Sequence, residues 1–135
     1  MKGDNQMKKI KIANTEFEYL DALENEQFYN GASRRTLTVT CAADAIGLDE
    51  LNALLTEDNL GSVMLHNDHV GVDDDGKVIT ATTLWENYAL KLECGIKSVE
   101  VQKETPEYAA VYADRLVFKL GKRTYIEEAL RKLGL

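Results

Sequence analysis

The chain has 135 residues, 44% of them hydrophobic, which fits one domain with a single core and excludes a disordered tail. It lacks a run of about 18 apolar residues, so a membrane partner is not expected. Sixteen basic and twenty-three acidic side chains give a net charge of −7, which opposes the field of a phosphate backbone and argues against a nucleic-acid partner.

Residues 1–6 are predicted to be a flexible leader, and residues 7–135 a single globular domain, because a second methionine, Met7, stands directly before the strand-like KKIKI. The N-terminus lacks the apolar stretch and cleavage site of a secretory signal, so a cytoplasmic location is expected. Cys41 and Cys94 lie far apart in strand-like segments, and both are expected to be reduced and structural.

Two short strands are predicted at the beginning of the domain, over KIKI at 9–12 and TEFEY at 15–19. Both alternate apolar and polar residues, which is typical of a strand with one buried face. A turn is expected around Ala13 and Asn14. The acidic, weakly patterned segment 21–27 that follows is predicted to be a loop.

The segment FYNGASRRTLTVTCA at 28–42 predicts a hairpin turn followed by a strand. Asn30 and Gly31 favour the two positive-φ positions of a tight type I′ turn. Alternation then places one set of side chains on the buried face, namely Leu37, Val39 and Cys41, and a second set of threonines on a half-exposed face, namely Thr36, Thr38 and Thr40.

A short amphipathic helix is predicted over about 48–58, where the apolar period changes from two to about 3.6. Its stripe consists of Leu48, Leu51, Leu54 and Leu55. Asp49 and Glu50 lie in its first turn, where the helix dipole favours anions. Asn59 is expected to end the helix in a left-handed conformation.

Further strands of the same alternating type are predicted in NYALKLEC, SVEVQ and RLVFKL. Gly95 is expected to end the first of them, and the segment 104–114, which contains the only proline, is expected to be a loop. Helical crossovers are absent from the pattern, so the strands are expected to pair antiparallel.

A C-terminal helix is predicted over about 124–133. Thr124 and Glu127 have the spacing of a capping box. The apolar stripe of this helix consists of Ile126, Ala129, Leu130 and Leu133. Such a stripe either covers the core of its own chain or docks on a neighbouring chain, and the first use is favoured because it is the commoner one. The predicted fold class is therefore α+β, mainly an antiparallel β-sandwich or barrel with two helices.

The candidate site is HNDHVGVDDDGKV at 66–78, which holds both histidines of the chain. His66, Asp68 and His69 supply donors that suit a divalent ion such as zinc. The i, i+3 spacing is weak evidence, because it places the two histidines on opposite faces of a strand. A polar turn between two strands, with Asp75 and Gly76 in a type I′ turn, is the favoured interpretation. A metal site is not assigned.

Catalytic residues and cofactor-binding residues are not assigned either, and the chain is not expected to be an enzyme. It lacks the GxSxG, GxxxxGK[ST], GxGxxG and CxxC motifs. Cys41 with a histidine is a conceivable nucleophile and base, but its strand position favours burial. The basic pairs, Arg34-Arg35 and Lys122-Arg123 among them, are expected to be solvated. The aromatic residues are expected to fill the core and its rims.

The order of these elements, with FYNGASRRTLTVT leading into LDELNALLTEDN and RLVFKLGKRTYIEEAL near the end, resembles small structural proteins encoded in bacterial prophages, of the tail-tube or baseplate type. The resemblance implies a β-sandwich or barrel with a flanking helix, self-association or association with other phage proteins, and a final location in the virion. The alternative is a β-barrel domain that binds a small ligand or a divalent metal at its strand ends.

Overall fold

The computed structural model describes residues 7–61 and 65–134. Eight strands and three helices lie within this part of the chain. The strands are β1 (Met7–Ile12), β2 (Thr15–Glu18), β3 (Asp21–Tyr29), β4 (Ala32–Ala42), β5 (Leu65–Val72), β6 (Val78–Trp85), β7 (Leu90–Gln102) and β8 (Val111–Gly121), and the helices are α1 (Leu48–Leu54), α2 (Glu57–Gly61) and α3 (Tyr125–Lys132). The α+β fold class is confirmed. The predicted leader, 1–6, lies outside the described residues.

Two four-stranded sheets form in the described residues, in the orders β2-β1-β5-β6 and β3-β4-β8-β7. Neighbouring strands in both sheets pair antiparallel, as expected. Buried side chains of both sheets belong to one cluster. Phe17 of β2 and Phe118 of β8 meet in it, with ring centroids 6.2 Å apart. The two sheets therefore lie against one shared core.

The two predicted N-terminal hairpins are confirmed. Asn30 and Gly31 have φ values of 53° and 82°, as a type I′ turn requires. Ala13 has a φ of 54° in the turn between β1 and β2. On β4, the side chains expected inside are buried. Thr36, expected to be half-exposed, is buried as well, and its hydroxyl donates to the side-chain oxygen of Asn25 at 2.9 Å.

The prediction of a loop at 21–27 is wrong, because this segment belongs to β3 and pairs with β4 along its whole length. Its half-buried positions include Asn25 and Gln27, which are polar, so the apolar alternation that reveals a strand is missing. The prediction that Gly95 ends a strand is also wrong. Gly95 pairs with Val117 in the middle of β7, and the loop that follows begins only after Gln102.

The helix predicted over 48–58 is two helices, with a break after Leu54. Thr56 starts the second one, since its hydroxyl accepts a hydrogen bond from the backbone N–H of Asn59 at 3.3 Å. Asn59 does not end a helix in a left-handed conformation. Its side-chain amide instead donates to the carbonyl of Leu54 at 2.8 Å and so satisfies the end of α1 from within α2. Leu51 and Leu60 bring both helices into the core.

The C-terminal helix is confirmed, with both hydrogen bonds of the capping box between Thr124 and Glu127 present. Gly134 follows it with a φ of 79°. The expectation that its apolar stripe covers the core is wrong, because none of the eight residues of α3, all of them described, is buried. None of the helices in the described ranges is long and apolar enough to cross a membrane.

Replacement of Phe118 by alanine is expected to lower the free energy of unfolding by about 3–5 kcal/mol, since it leaves a cavity where the two sheets meet. The matched control is Phe28→Ala on β3, where the same ring is 72% exposed. That variant is expected to stay within about 0.5 kcal/mol of the wild type. Urea unfolding measures the free energy of unfolding of both variants. An equal decrease in the two would contradict the placement of Phe118 in the core.

Candidate functional site

The histidine segment lies on strand β5, in the middle of the first sheet. His66 pairs with Lys11 and Leu84, and His69 pairs with Lys8 and Ala81. The two histidines are three positions apart on one strand, so their positions lie on opposite faces of the sheet, as the spacing predicts. The predicted polar loop at this point is therefore strand up to Val72.

The aspartate of this segment has a hydrogen-bond partner on β6. The carboxylate of Asp68 accepts a hydrogen bond from the hydroxyl of Thr82 at 2.6 Å. Within the part of the chain that the structure describes, no group of three or more potential ligands is arranged to hold a metal ion. The side chains of His66 and His69 lie outside the described residues, so the histidine ligands remain a hypothesis.

The turn between β5 and β6 accounts for the aspartates of the candidate site. The carboxylate of Asp73 accepts hydrogen bonds from the backbone N–H of Asp75 at 2.9 Å and of Lys77 at 2.8 Å. Gly76 has a φ of 82°, whereas Asp75 is not among the residues with positive φ. The turn interpretation is confirmed, but type I′ is wrong, since that type requires positive φ at both positions.

The two cysteines are free thiols, as expected, and Cys41 is buried. Burial raises the pKa of Cys41 to about 12, and it also raises the pKa of Cys94. A thiol with such a pKa is protonated at neutral pH, and the thiolate is the reactive form. Cys41 therefore belongs to the core and does not form a nucleophilic site.

The prediction that Arg34 is solvated is wrong, because this residue is only 3% exposed. Two of its guanidinium nitrogens donate to the two carboxylate oxygens of Glu127, at 2.6 Å and 2.8 Å. The same guanidinium donates to the carbonyls of Tyr29 at 3.0 Å and of Lys122 at 2.9 Å. Arg34 thus joins the β3–β4 hairpin to the beginning of α3.

Arg123 makes a second connection of this kind. Its side chain is only 9% exposed, and its guanidinium lies 3.0 Å from the carboxylate of Glu57 on α2 and 3.7 Å from that of Glu128 on α3. The expectation that this basic pair is solvated is therefore wrong for Arg123. The sequence carries no local signal for these two contacts, because Glu127 is distant from Arg34 along the chain and Glu57 is distant from Arg123.

The orientation that these ion pairs give to α3 leaves its apolar stripe facing solvent. Ile126 is 68% exposed and Leu133 is 73% exposed, and Tyr125 beside them is 88% exposed. Burial of such side chains against a partner is worth about 25 cal/mol for each Å² of apolar surface. The stripe is therefore a candidate contact surface for another protein chain.

The aromatic residues divide into two groups, so the expectation that they fill the core holds for only some of them. Five are buried, namely Phe17, Tyr19, Trp85, Tyr88 and Phe118. Four others are largely exposed, namely Phe28, Tyr108, Tyr112 and Tyr125. Two of the exposed ones belong to the β7–β8 hairpin and its loop, which extend beyond the shared core. Large apolar groups exposed in this way are typical of binding surfaces.

A polar cluster crosses the outer face of the second sheet. The Tyr29 hydroxyl donates to Glu93, and the amine of Lys119 donates to Tyr29 at 2.9 Å and to Gln27 at 2.9 Å. Hydrogen bonds from Lys97 and Tyr29 hold the pKa of Glu93 below its usual range. These groups satisfy one another across three strands, which favours a structural role over general acid–base work.

No protein-family model, no curated protein and no solved structure matches this chain.

The free energy of unfolding is expected to fall as the pH falls from about 4.5 towards 2. Arg34 and Thr124 lower the pKa of Glu127 from 4.5 to about 2, so between these values the unfolded chain binds the extra proton. In Glu127→Gln this pH dependence is expected to become shallower. At pH 7 the free energy of unfolding of this variant is expected to be about 1–3 kcal/mol below that of the wild type. The lower end of this range is expected because about a third of the Glu127 side chain faces solvent.

Unfolding by urea at several pH values measures this dependence. Glu107→Gln, in the exposed loop between β7 and β8, is the matched control and is expected to unfold like the wild type. A Glu127→Gln profile parallel to that of the wild type would show that the ion pair with Arg34 does not stabilise the fold.

Proposed function

We propose that the chain is a non-enzymatic structural protein of a phage-like particle, a tail or baseplate component, that acts through self-association. The observation that carries the proposal is the exposed apolar stripe of α3. The proposal places the protein in the cytoplasm before assembly and in the particle afterwards.

The stripe suits assembly because the helix that bears it is held rigidly. α3 has a complete capping box, and the ion pair between Arg34 and Glu127 fixes its first turn against β4. A surface fixed before contact loses little conformational entropy when a partner binds. Ile126, Leu130 and Leu133 therefore form a preorganised contact surface, which repeated copies of one chain require.

The edges of the two sheets support the same proposal. Both sheets end in strands whose outer edges are unpaired within the described residues. Unpaired edges and exposed apolar groups are the features through which copies of a β-rich chain join. A contact between two different surfaces of neighbouring copies closes into a ring when the rotation allows it. The resemblance to tail and baseplate proteins implies an arrangement of this kind.

The alternative proposal, a domain that binds a small ligand or a divalent metal, is favoured by one observation. An open cleft of about 380 Å³ lies beside the β1–β2 hairpin, with the carboxylates of Glu16 and Asp44 among its lining. Its volume is in the range of small-ligand sites. Calcium or zinc that bound this cleft or the histidines of β5 would raise the melting temperature, because a ligand specific for the native state stabilises it.

Replacement of Ile126 and Leu133 together by lysine is expected to abolish oligomers larger than a dimer without lowering the free energy of unfolding. Both side chains are more than two-thirds exposed, so the fold does not depend on them. Light scattering on a sizing column, over a wide range of protein concentration, measures the native mass.

The matched control is Ala53→Lys with Ala109→Lys, which adds the same charge at two exposed positions, one on α1 and one in the loop between β7 and β8. It is expected to assemble like the wild type. Substitution is a sharper test than deletion of residues 124–135, because deletion also removes Glu127 from the buried Arg34. Unchanged assembly of the lysine variant would show that α3 is not the contact.

A further inference from the structure

Strand β6, Val78–Trp85, forms one edge of the first sheet. Seven of its eight residues are exposed, and its inner neighbour is β5. Within the described residues no strand pairs with its other side, so its outward backbone N–H and C=O groups are available for hydrogen bonds. Large apolar residues are among the exposed ones: Val78 is 70% exposed, Ile79 is 52% exposed and Leu84 is 51% exposed.

The sequence of β6, VITATTLW, contains neither charge nor proline, and most of its residues favour strands. The other edge strands of the two sheets carry charges that oppose unspecific pairing. These strands are β2 with Glu16 and Glu18, β3 with Asp21, Glu24 and Glu26, and β7 with Lys91, Glu93, Lys97 and Glu100. Proteins commonly protect edges with charges, and β6 is the exception among the described edges.

The charges that flank β6 indicate which strand it accepts. Lys77 lies directly before the strand and Glu86 directly after it, and both side chains are exposed. At about 3.3 Å per residue they are some 30 Å apart along one strand, so they do not meet within a single copy. Antiparallel pairing of two β6 strands brings Lys77 of each copy to a position next to Glu86 of the other. Parallel pairing brings like charges together.

We infer that β6 pairs antiparallel with β6 of a second copy of this chain, which joins the two first sheets into one continuous sheet across a two-fold axis. At both ends of the joined strands the charge of Lys77 in one copy lies near the opposite charge of Glu86 in the other. This inference deepens the proposed function. It rests on one part of that proposal, namely that copies of the chain associate with one another. It names a contact separate from α3.

The two-fold axis makes the register testable. Residues opposite each other in an antiparallel pair point to the same face of the sheet. A two-fold axis perpendicular to the sheet preserves the faces, so one residue of β6 lies opposite its own copy. The positions of Lys77 and Glu86 place that residue at Ala81 or Thr82.

Single cysteine variants at each position from Ile79 to Leu84, in a Cys94→Ser background, test the contact under mild oxidation. The residue on the axis has a Cα–Cα distance of about 4.5–5.5 Å to its copy, which a disulfide spans. A cysteine one position away is offset by two residues, about 7 Å along the strand, which is too far. One sharp maximum of cross-linked dimer, at Ala81→Cys or Thr82→Cys, is expected. Equal cross-linking at all six positions, or none, would overturn the inference.

A charge exchange tests the direction of pairing in the unmodified strand. Lys77→Glu and Glu86→Lys are each expected to weaken dimerisation about tenfold at low salt, because two attractive contacts become repulsive. The variant that carries both changes is expected to regain wild-type affinity. Lys103→Glu, the same charge change in the loop between β7 and β8, is the control and is expected to dimerise normally. Failure of the double variant to recover would contradict antiparallel pairing.

Sedimentation experiments test the α3 contact and the β6 contact independently of each other. Higher oligomers that depend on Ile126 and Leu133, without a cross-linking maximum on β6, would leave the proposed function in place and overturn the strand pairing. A dimer that follows the charge exchange, with assembly unaffected by the α3 variants, would retain the strand pairing and remove the basis of the proposed function. A strict monomer at all concentrations would contradict both.

Discussion

The buried guanidinium of Arg34 determines how the C-terminal part of the molecule is arranged. A charge that is 3% exposed is tolerated only where a partner and hydrogen-bond acceptors surround it, and Glu127 is that partner. Glu127 must therefore face β4. With 3.6 residues per turn, the centre of the stripe formed by Ile126, Leu130 and Leu133 lies about a quarter-turn away from Glu127. The exposure of the stripe thus follows from the need to satisfy one arginine.

A second constraint is the size of the core, which ends before the longest strands do. The shared cluster reaches Phe118 and Leu116 on β8, whereas Val111 and Tyr112 at the beginning of the same strand are exposed. Strand β6 contributes only Trp85 to the core. The ends of the β5–β6 and β7–β8 hairpins are stabilised by backbone pairing, with little burial of side chains. Their apolar groups are therefore available for contacts outside the chain.

The sequence predicted best where local pattern and tertiary environment agree. The strand with Leu37, Val39 and Cys41 inside, the Asn30-Gly31 turn and the capping box of α3 each depend on near neighbours along the chain. Strand β3 was missed because an edge strand with polar side chains at its half-buried positions needs no apolar alternation.

The candidate site was predictable only in part. Asp75 and Gly76 carry the signal of a turn, and the structure places a turn there, in which the carboxylate of Asp73 accepts a backbone hydrogen bond. The burial of Arg34 was not predictable, because it depends on a glutamate 93 residues away. The charge-free run between Lys77 and Glu86 is visible in the sequence, yet its significance depends on the sheet order that makes β6 an edge.

The two proposed contacts lie on different sheets and have different consequences for assembly. Pairing of β6 with itself closes after two copies, because the same surface is used on both sides. It leaves α3 free, since Arg34 attaches that helix to the second sheet. Each copy carries a net charge of −7, which opposes association. An uncharged edge with a cation at one end and an anion at the other reduces this repulsion where the chains meet, and salt screens charges more than about 10 Å away. Pairing at β6 is therefore the contact that the acidic character of the chain opposes least.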